Sequence, residues 1–410
     1  MACALPEVGV LALVPDRFGR TWMSRHHILT RLARYYEVLW LEPPRHWTEP
    51  LRPHGGQATD ASGDMRVYDA SRWLPRFQRP QWLGASTDRA RLTLARRQLI
   101  ARGCQRIVLH VWRPRFDRAI DRVAHDLVVY HVVDEYSFSE VDLETPESEL
   151  HLLKRADQVI VHSRGLLEKK GNTNPHTCVI PNGVDFEAAV TPTALPVDIA
   201  SIKRPIIGYA GMLKKQLDWK LIADLADAHP AWSFVFVGDV SPQPEMTTIL
   251  PGLHRRGNVH FLGPKSSTEL LRYPQHFDVC IMPYRMTDYA QYIYPLKLHE
   301  YLACGKPVVG SPIRTLNDFS HVIWLASSPE EWSLALSRSL QPSAIRGEQV
   351  AARREVAQRH SWDQIAYEVA RTMAERLGGE IAARFQHIPA PHRAVRVPDL
   401  SAVNAASCGW

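Results

Sequence analysis

Short apolar runs alternate with stretches of helical period along most of this chain. Val8–Val14 is an apolar run and reads as a buried strand. A helical stretch follows over Trp22–Tyr36, with Ile28, Leu29, Leu32 and Tyr36 on one face. Val38–Leu41 is the next strand, stopped by Pro43 and Pro44, and residues 43–86 read as loop-rich. Thr87–Arg102 is helical, Ile107–Trp112 and Leu127–Val133 are strands, and Glu147–Ala156 is a helix. Gln158–His162 and Cys178–Ile180 close this half before the turn at Pro181-Asn182-Gly183. Strands alternating with helices predict βαβ units and a parallel sheet.

From Thr191 to Pro205 the pattern lapses around Pro192, Pro196 and Pro205, as in a linker. The alternation then restarts, with strands at Pro205–Gly211, Trp232–Gly238, Val259–Leu262, Asp278–Tyr284, Pro307–Gly310 and Val322–Ala326. Helices are expected at Trp219–His229 and Pro295–Ala303, and a long terminal helix at Ser361–Arg376 with Ser361 as its N-cap. The expected class is therefore α/β, with two Rossmann-like parallel-sheet lobes facing a cleft. The boundaries are 1–190 for the first lobe, 191–204 for the linker and 205–355 for the second lobe. Residues 356–379 form a terminal helix packing back on the first lobe, and 380–410 a tail.

The chain has 410 residues, 45% hydrophobic and 22% charged, which suits packed domains and excludes disorder as the whole account. No apolar run approaches the roughly 18–20 residues that a helix needs to cross a bilayer. Six scattered cysteines with no CxxC pair argue against a zinc site or a disulfide framework and for a reducing cytoplasm. Net charge is +6 but unevenly spread: residues 1–120 hold 20 Arg, no Lys and 10 acids, and residues 121–150 hold nine acids and one Arg. That front excess fits an anionic partner (nucleic acid, an anionic membrane surface or a phosphorylated lipid) or an arginine-rich solvated face. Residues Arg72–Leu83 interleave arginine with aromatic rings, as a loop resting on a lipid surface would. Nothing else resembles a nucleic-acid module, so peripheral membrane contact is expected and nucleic acid is not.

In parallel sheets, ligands bind beyond the carboxyl ends of the strands. That rule selects His110, Asp134 and Glu135 in the first lobe. In the second it selects Gly211, Met212, Lys214 and Lys215, then Tyr284 and Arg285. The most informative segment runs from Pro295 to Val309. Pro295 suits the first helical position, Gly305 ends the helix and Pro307 stops its continuation. Pro295, Leu296 and Lys297 then form a positive helix tip suited to an anion. Glu300, one turn on, is placed to accept hydrogen bonds from a ribose diol. The bland reading of the same pair is a surface Lys–Glu contact.

Three further segments accompany it in order: Ala156–Ser163, Val179–Asp185 and Ile207–Gly211. Together the four resemble GT-B glycosyltransferases, near the bacterial polysaccharide transferases of family 4 and the xanthan glucuronosyltransferase group. The resemblance is clear over residues 105–330. It implies an acceptor-binding first lobe and a second lobe holding a nucleotide sugar, UDP-linked as the first guess. By position, Gly211 and Met212 would lie beside the diphosphate, Lys297 would neutralise it and Glu300 would hold the ribose. Such enzymes generally need no metal, and no separate cofactor is implied. Two positions depart from family 4: Tyr292 stands where a second glutamate is usual, and Met212 where an arginine is usual. They leave an inverting, xanthan-type alternative open, in which an aspartate of the first lobe is the general base; Asp134 is the best-placed candidate, followed by Glu135 and His110. The expected function is sugar transfer to a saccharide or lipid-linked acceptor in cell-surface polysaccharide or glycoconjugate biosynthesis, in the cytoplasm or on the inner face of the membrane. A sugar-nucleotide epimerase of the same fold, or a non-catalytic carbohydrate or lipid-phosphate binding protein, are the alternatives.

Overall fold

The computed structural model describes residues 3–19, 22–44, 58–60, 65–70, 74, 81–138 and 146–391. The apolar runs pair as expected into two sheets. The first contains β1 (Leu5–Leu13), β2 (Tyr36–Leu41), β3 (Ala58–Asp60), β4 (Arg66–Tyr68), β5 (Arg106–Val111), β6 (Leu127–Val132), β7 (Gln158–Val161) and β8 (Thr177–Val179). Their order is β3-β4-β2-β1-β5-β6-β7-β8, parallel except for the antiparallel β3–β4 pair. Val10, Ala12, Val108 and Val129 face one covering layer, and Leu11, Leu109, Val128 and Tyr130 the other. Burial on both faces explains why these strands read as near-continuous apolar runs.

The second sheet contains β9 (Ile206–Ala210), β10 (Ser233–Val237), β11 (Val259–Phe261), β12 (Val279–Met282), β13 (Val308–Gly310) and β14 (Trp324–Leu325), all parallel, in the order β11-β10-β9-β12-β13-β14. This is a doubly wound sheet, whose strand order reverses between β9 and β12. The crevice for a ligand is expected at the carboxyl ends of those two strands.

Helix α1 (Ser24–Leu32) is shorter than the periodicity suggested. Both of its histidines are packed: His26 is 1% exposed, and the half-buried His27 stacks on Trp362 at 4.9 Å. The helix expected at Thr87–Arg102 starts earlier, at Gln81. The linker contains a short helix, Val197–Ala200, fastened to the second lobe by Tyr273, which donates to Asp198 at 2.9 Å. Helix α2 (Lys297–Ala303) begins two residues after Pro295, with Leu296 as its N-cap.

The long helix α3 (Trp362–Leu377) is capped by Ser361 and packs Ile365, Val369, Ala370 and Met373 into the core of the first lobe. The Tyr36 hydroxyl donates to the Ala370 carbonyl at 2.7 Å, and Arg31 joins α1 to Asp363 at 3.0 Å and to Asp185 at 3.1 Å. The tail expected from residue 380 is corrected in its first part. Helix α4 (Gly379–Phe385) buries Phe385 against Tyr35, Tyr36 and Tyr367. Residues 392–410 lie outside the described residues, as does most of the Arg72–Leu83 loop. Among the described residues, no helix is long and apolar enough to cross a membrane.

Candidate active site

The two lobes meet where the strand ends converge. Strand β9 runs into Gly211, whose φ of +140° favours a residue without a β-carbon. A β-carbon there would sit 2.7 Å from Cε of Lys297, so the lysine lies directly across the glycine turn. Gly238, after β10, has φ +141° and approaches the Gly211 backbone so closely that a β-carbon would lie 2.2 Å from the Gly211 carbonyl oxygen. Gly238 in turn donates its N–H to the Gly263 carbonyl at 3.0 Å, and Gly263 has φ +71°. Three consecutive strands thus lead into a glycine, and of these the Gly211 turn is the one that lies against Lys297. Only Gly211 was singled out from the sequence. The same strand-end rule, applied to the glycine ending Trp232–Gly238, would have found Gly238.

The Lys297 ammonium lies 5.0 Å from the centre of the Tyr209 ring. Tyr284 ends the neighbouring strand beside it. Burial drives the Tyr284 pKa up, against the pull of Lys297, so that hydroxyl stays neutral. Glu300 is half-buried one turn along α2. Burial raises its carboxyl pKa above the usual range and the Lys297 charge opposes that rise. Among the described residues, no side chain hydrogen-bonds the Glu300 carboxylate. A polar ligand group is the natural partner for such an oxygen pair.

Asp134 approaches from the first lobe, beyond β6. Its Oδ1 accepts hydrogen bonds from the Tyr289 hydroxyl, at 2.8 Å, and from the Glu135 N–H, at 2.8 Å. Lys214 stands between the lobes: burial lowers its pKa, the like charge of Lys297 lowers it further, and the Asp134 carboxylate pushes it back up. Lys214 is therefore within reach of Lys297 on its own lobe and of Asp134 on the other.

The other candidates lie elsewhere. Glu135 is 2% exposed and ion-paired to Lys170 at 3.2 Å and Lys169 at 3.3 Å, with Ser137 donating at 2.8 Å. Burial alone would raise its pKa, but these partners bring it below the usual value. It braces the loop after β6 and does not face the cleft. His110 is fully buried within the sheet, 3.3 Å from His131, and burial lowers its pKa to about 3. It is a core residue, as His131 is. Lys215 pairs with Glu245 at 3.6 Å. With Arg285 it lines a groove of about 500 Å³ formed entirely within the second lobe, beside Trp219, Ile249 and Arg256. The side chain of Leu296 packs against the core of the first lobe, so it is a joint between lobes as well as the cap of α2. Met212 is 49% exposed beside Gly211, and Pro295 is buried just before α2.

The joint itself was not legible in advance. Ser163 donates to the Tyr292 carbonyl at 3.1 Å, Lys169 lies 5.1 Å from the centre of the Tyr292 ring, and Asn182 donates to the Tyr294 carbonyl at 3.0 Å. Asn182 therefore contributes its side chain as well as its turn. The Trp22 N–H donates to Ser267 at 3.3 Å, closing the far rim.

Two doubly wound lobes enclosing such a gap define the GT-B class of glycosyltransferase folds. Residues 204–341 match the family described as glycosyl transferases group 1, a span that covers most of the second lobe. In Bacillus subtilis (strain 168), the protein TuaH, provisionally assigned as a glycosyltransferase of teichuronic acid biosynthesis, is 34% identical over 172 residues. That match covers 40% of this chain and 42% of the relative. Among solved structures, a trehalose-6-phosphate protein from E. coli bound with UDP-2-fluoro glucose superposes with a TM-score of 0.62 at 13% identity, over 91% of this chain and 99% of that one. A UDP-forming α,α-trehalose-phosphate synthase from Burkholderia xenovorans gives 0.61 at 14% identity, over 91% of this chain and all of the other. These two show the shared GT-B fold.

Proposed function

We propose that this chain transfers a sugar from a nucleoside diphosphate sugar, with a UDP-sugar the first choice, to a saccharide or lipid-linked acceptor in the making of a cell-surface polysaccharide or glycoconjugate. One observation carries the reading: Lys214 of the second lobe lies in the field of Lys297 on its own side and of Asp134 on the other, with the Glu300 carboxylate one turn along from Lys297. Cations suit a leaving diphosphate, a carboxylate that receives no side-chain hydrogen bond among the described residues suits a ribose, and an opposing carboxylate suits an acceptor hydroxyl. The TuaH likeness favours a cell-wall polymer as product.

In this reading the acceptor oxygen bonds to the anomeric carbon while its proton passes to Asp134. The bond from that carbon to the phosphate oxygen breaks, and its electron pair leaves on the diphosphate. Lys297 and Lys214 stabilise that growing charge, and they do so more strongly in a closed cleft than in open water. The nucleotide sugar is the substrate, and no further cofactor enters the scheme. The arginine-rich front of the chain supports peripheral contact with an anionic inner membrane face, where a lipid-linked acceptor would sit. Liposome flotation checks that contact, and absence of salt-sensitive binding would remove it.

The reaction is tested by incubating the protein with UDP-, GDP- and dTDP-hexoses, with and without membrane extract. Acceptor-dependent release of nucleoside diphosphate is expected. Conversion of the donor to an isomeric sugar nucleotide without release would replace transfer by epimerisation.

A further inference from the structure

The segment Asp288–Tyr292, a 3₁₀ turn, connects β12 toward α2 and presents Tyr289 to the opposite lobe. Its ends are pinned: the Thr315 hydroxyl donates to the Ile293 carbonyl at 2.7 Å, and Ser163 of the first lobe donates to the Tyr292 carbonyl at 3.1 Å. The Tyr289 ring lies against Phe138 of the first lobe, with centroids 5.7 Å apart. Its hydroxyl then donates to Asp134 Oδ1 at 2.8 Å. That oxygen also accepts from the Glu135 N–H, whereas Oδ2 receives no hydrogen bond among the described residues.

We propose that Tyr289 is a positioning residue for Asp134: by holding Oδ1 from across the interlobe gap, it aims Oδ2 at the acceptor and ties the base to the segment that leads into the donor helix. The inference rests on the reading of Asp134 as the proton acceptor. Tyr289 stands eight residues before Lys297 in the chain. Movement of α2 on a donor therefore reaches Asp134 through one short turn, and the base is held in this way only when the lobes are together.

The surroundings suit this role. Burial and the Asp134 carboxylate both push the Tyr289 pKa up, so its hydroxyl remains a donor at any pH the chain meets. The other groups in the field of Asp134 are Lys214 from the second lobe, Tyr136 on its own loop and His162 after β7. Arg113 lies over the Tyr136 ring at 4.7 Å and also acts on Tyr289. Lys214 supplies charge to the carboxylate; Tyr289 supplies direction, through a hydrogen bond on a named oxygen.

The test is a carbon-13 titration of the full chain labelled at the aspartate side-chain carboxyls, with the Asp134 resonance assigned by its loss in D134N. Y289F keeps the ring on Phe138 and removes only the hydroxyl. With that donor gone, the Asp134 resonance should titrate at higher pH than in the native chain, by roughly one pH unit, the scale of one charge-assisted hydrogen bond. Y289L gives the same readout should Y289F not be recovered folded. A structural role alone would lower the melting temperature and leave the titration in place. An unmoved midpoint overturns the proposal. Release of nucleoside diphosphate from the same hexose panel is followed in parallel. A D134N chain that retains the native rate removes the base reading itself, whatever the titration shows. An inactive D134N with an unmoved midpoint removes only the role of Tyr289.

Discussion

Glu300 ties the proposed site to pH. Burial raises its carboxyl pKa above the unfolded value and Lys297 only partly offsets this. A group of this kind contributes stability that is complete below the unfolded pKa and lost as pH rises through the folded one. The ionised form, which the proposed ribose contact needs, is thus held at a cost to the free protein. E300Q removes that cost. It should melt above the native chain at pH 8, with the gap closing by pH 4, as read by calorimetry; an E300Q that melts below the native chain at pH 8 would contradict the assignment. Residue-scale legibility followed one rule. Gly211, Lys214, Asp134 and Lys297 lie at strand ends or at a helix start, and strand ends can be read from the alternation. Which way a side chain turns once past the strand cannot. Lys214 and Lys215 are neighbours in sequence, yet one faces the gap and the other pairs with Glu245 over a groove of the second lobe. Glu135 differs from Asp134 by one position and is consumed by two lysines.

At the scale of elements, the site depends on how closely β9 and β10 end beside each other. Gly238 takes a conformation that strains any side chain, and its neighbour is backbone, which cannot swing aside. G238A should therefore cost roughly 2–4 kcal/mol, combining backbone strain with overpacking, and should also weaken nucleotide binding by displacing the Gly211 turn. Denaturant unfolding and nucleotide titration of the one variant check both parts. An unchanged stability would mean that the two strand ends are not in contact. The strands and α3 were legible because their hydrophobic periods are long and unbroken. Helix α2 was displaced by two residues because Pro295 precedes its N-cap Leu296. Helix α4 went unread because its seven residues present one large apolar anchor, Phe385, and too little period to register.

At the scale of the whole molecule, the two lobes are joined by aromatic and imidazole contacts as much as by the linker. The His162 ring meets Tyr294, the Tyr294 hydroxyl is 2.8 Å from His299 Nε2, and His299 stacks on His360 at 4.0 Å. Burial lowers the pKa of each of these histidines, and of His26 to about 4 and His27 to about 3. Histidines held neutral in this way stabilise the fold fully above the unfolded pKa near 6.5, and that stability is lost as pH falls below it. The melting temperature should therefore drop between about pH 6.5 and pH 5, before most carboxylates titrate. A flat profile there would show that these imidazoles are solvated. This joint could not be read from the sequence, since His162–Tyr294 and His299–His360 pair residues far apart in the chain and no local period marks them.

The central claim is that Lys297 and Glu300, on the wall of the gap between the lobes, hold a nucleoside diphosphate. Calorimetric titration of UDP into the native protein and into K297A tests it most directly. Saturable binding to the native chain, weakened roughly 10- to 100-fold by the loss of one charged contact, is the expected result. UDP, GDP and dTDP all failing to bind, or UDP binding K297A as tightly as the native chain, would contradict it.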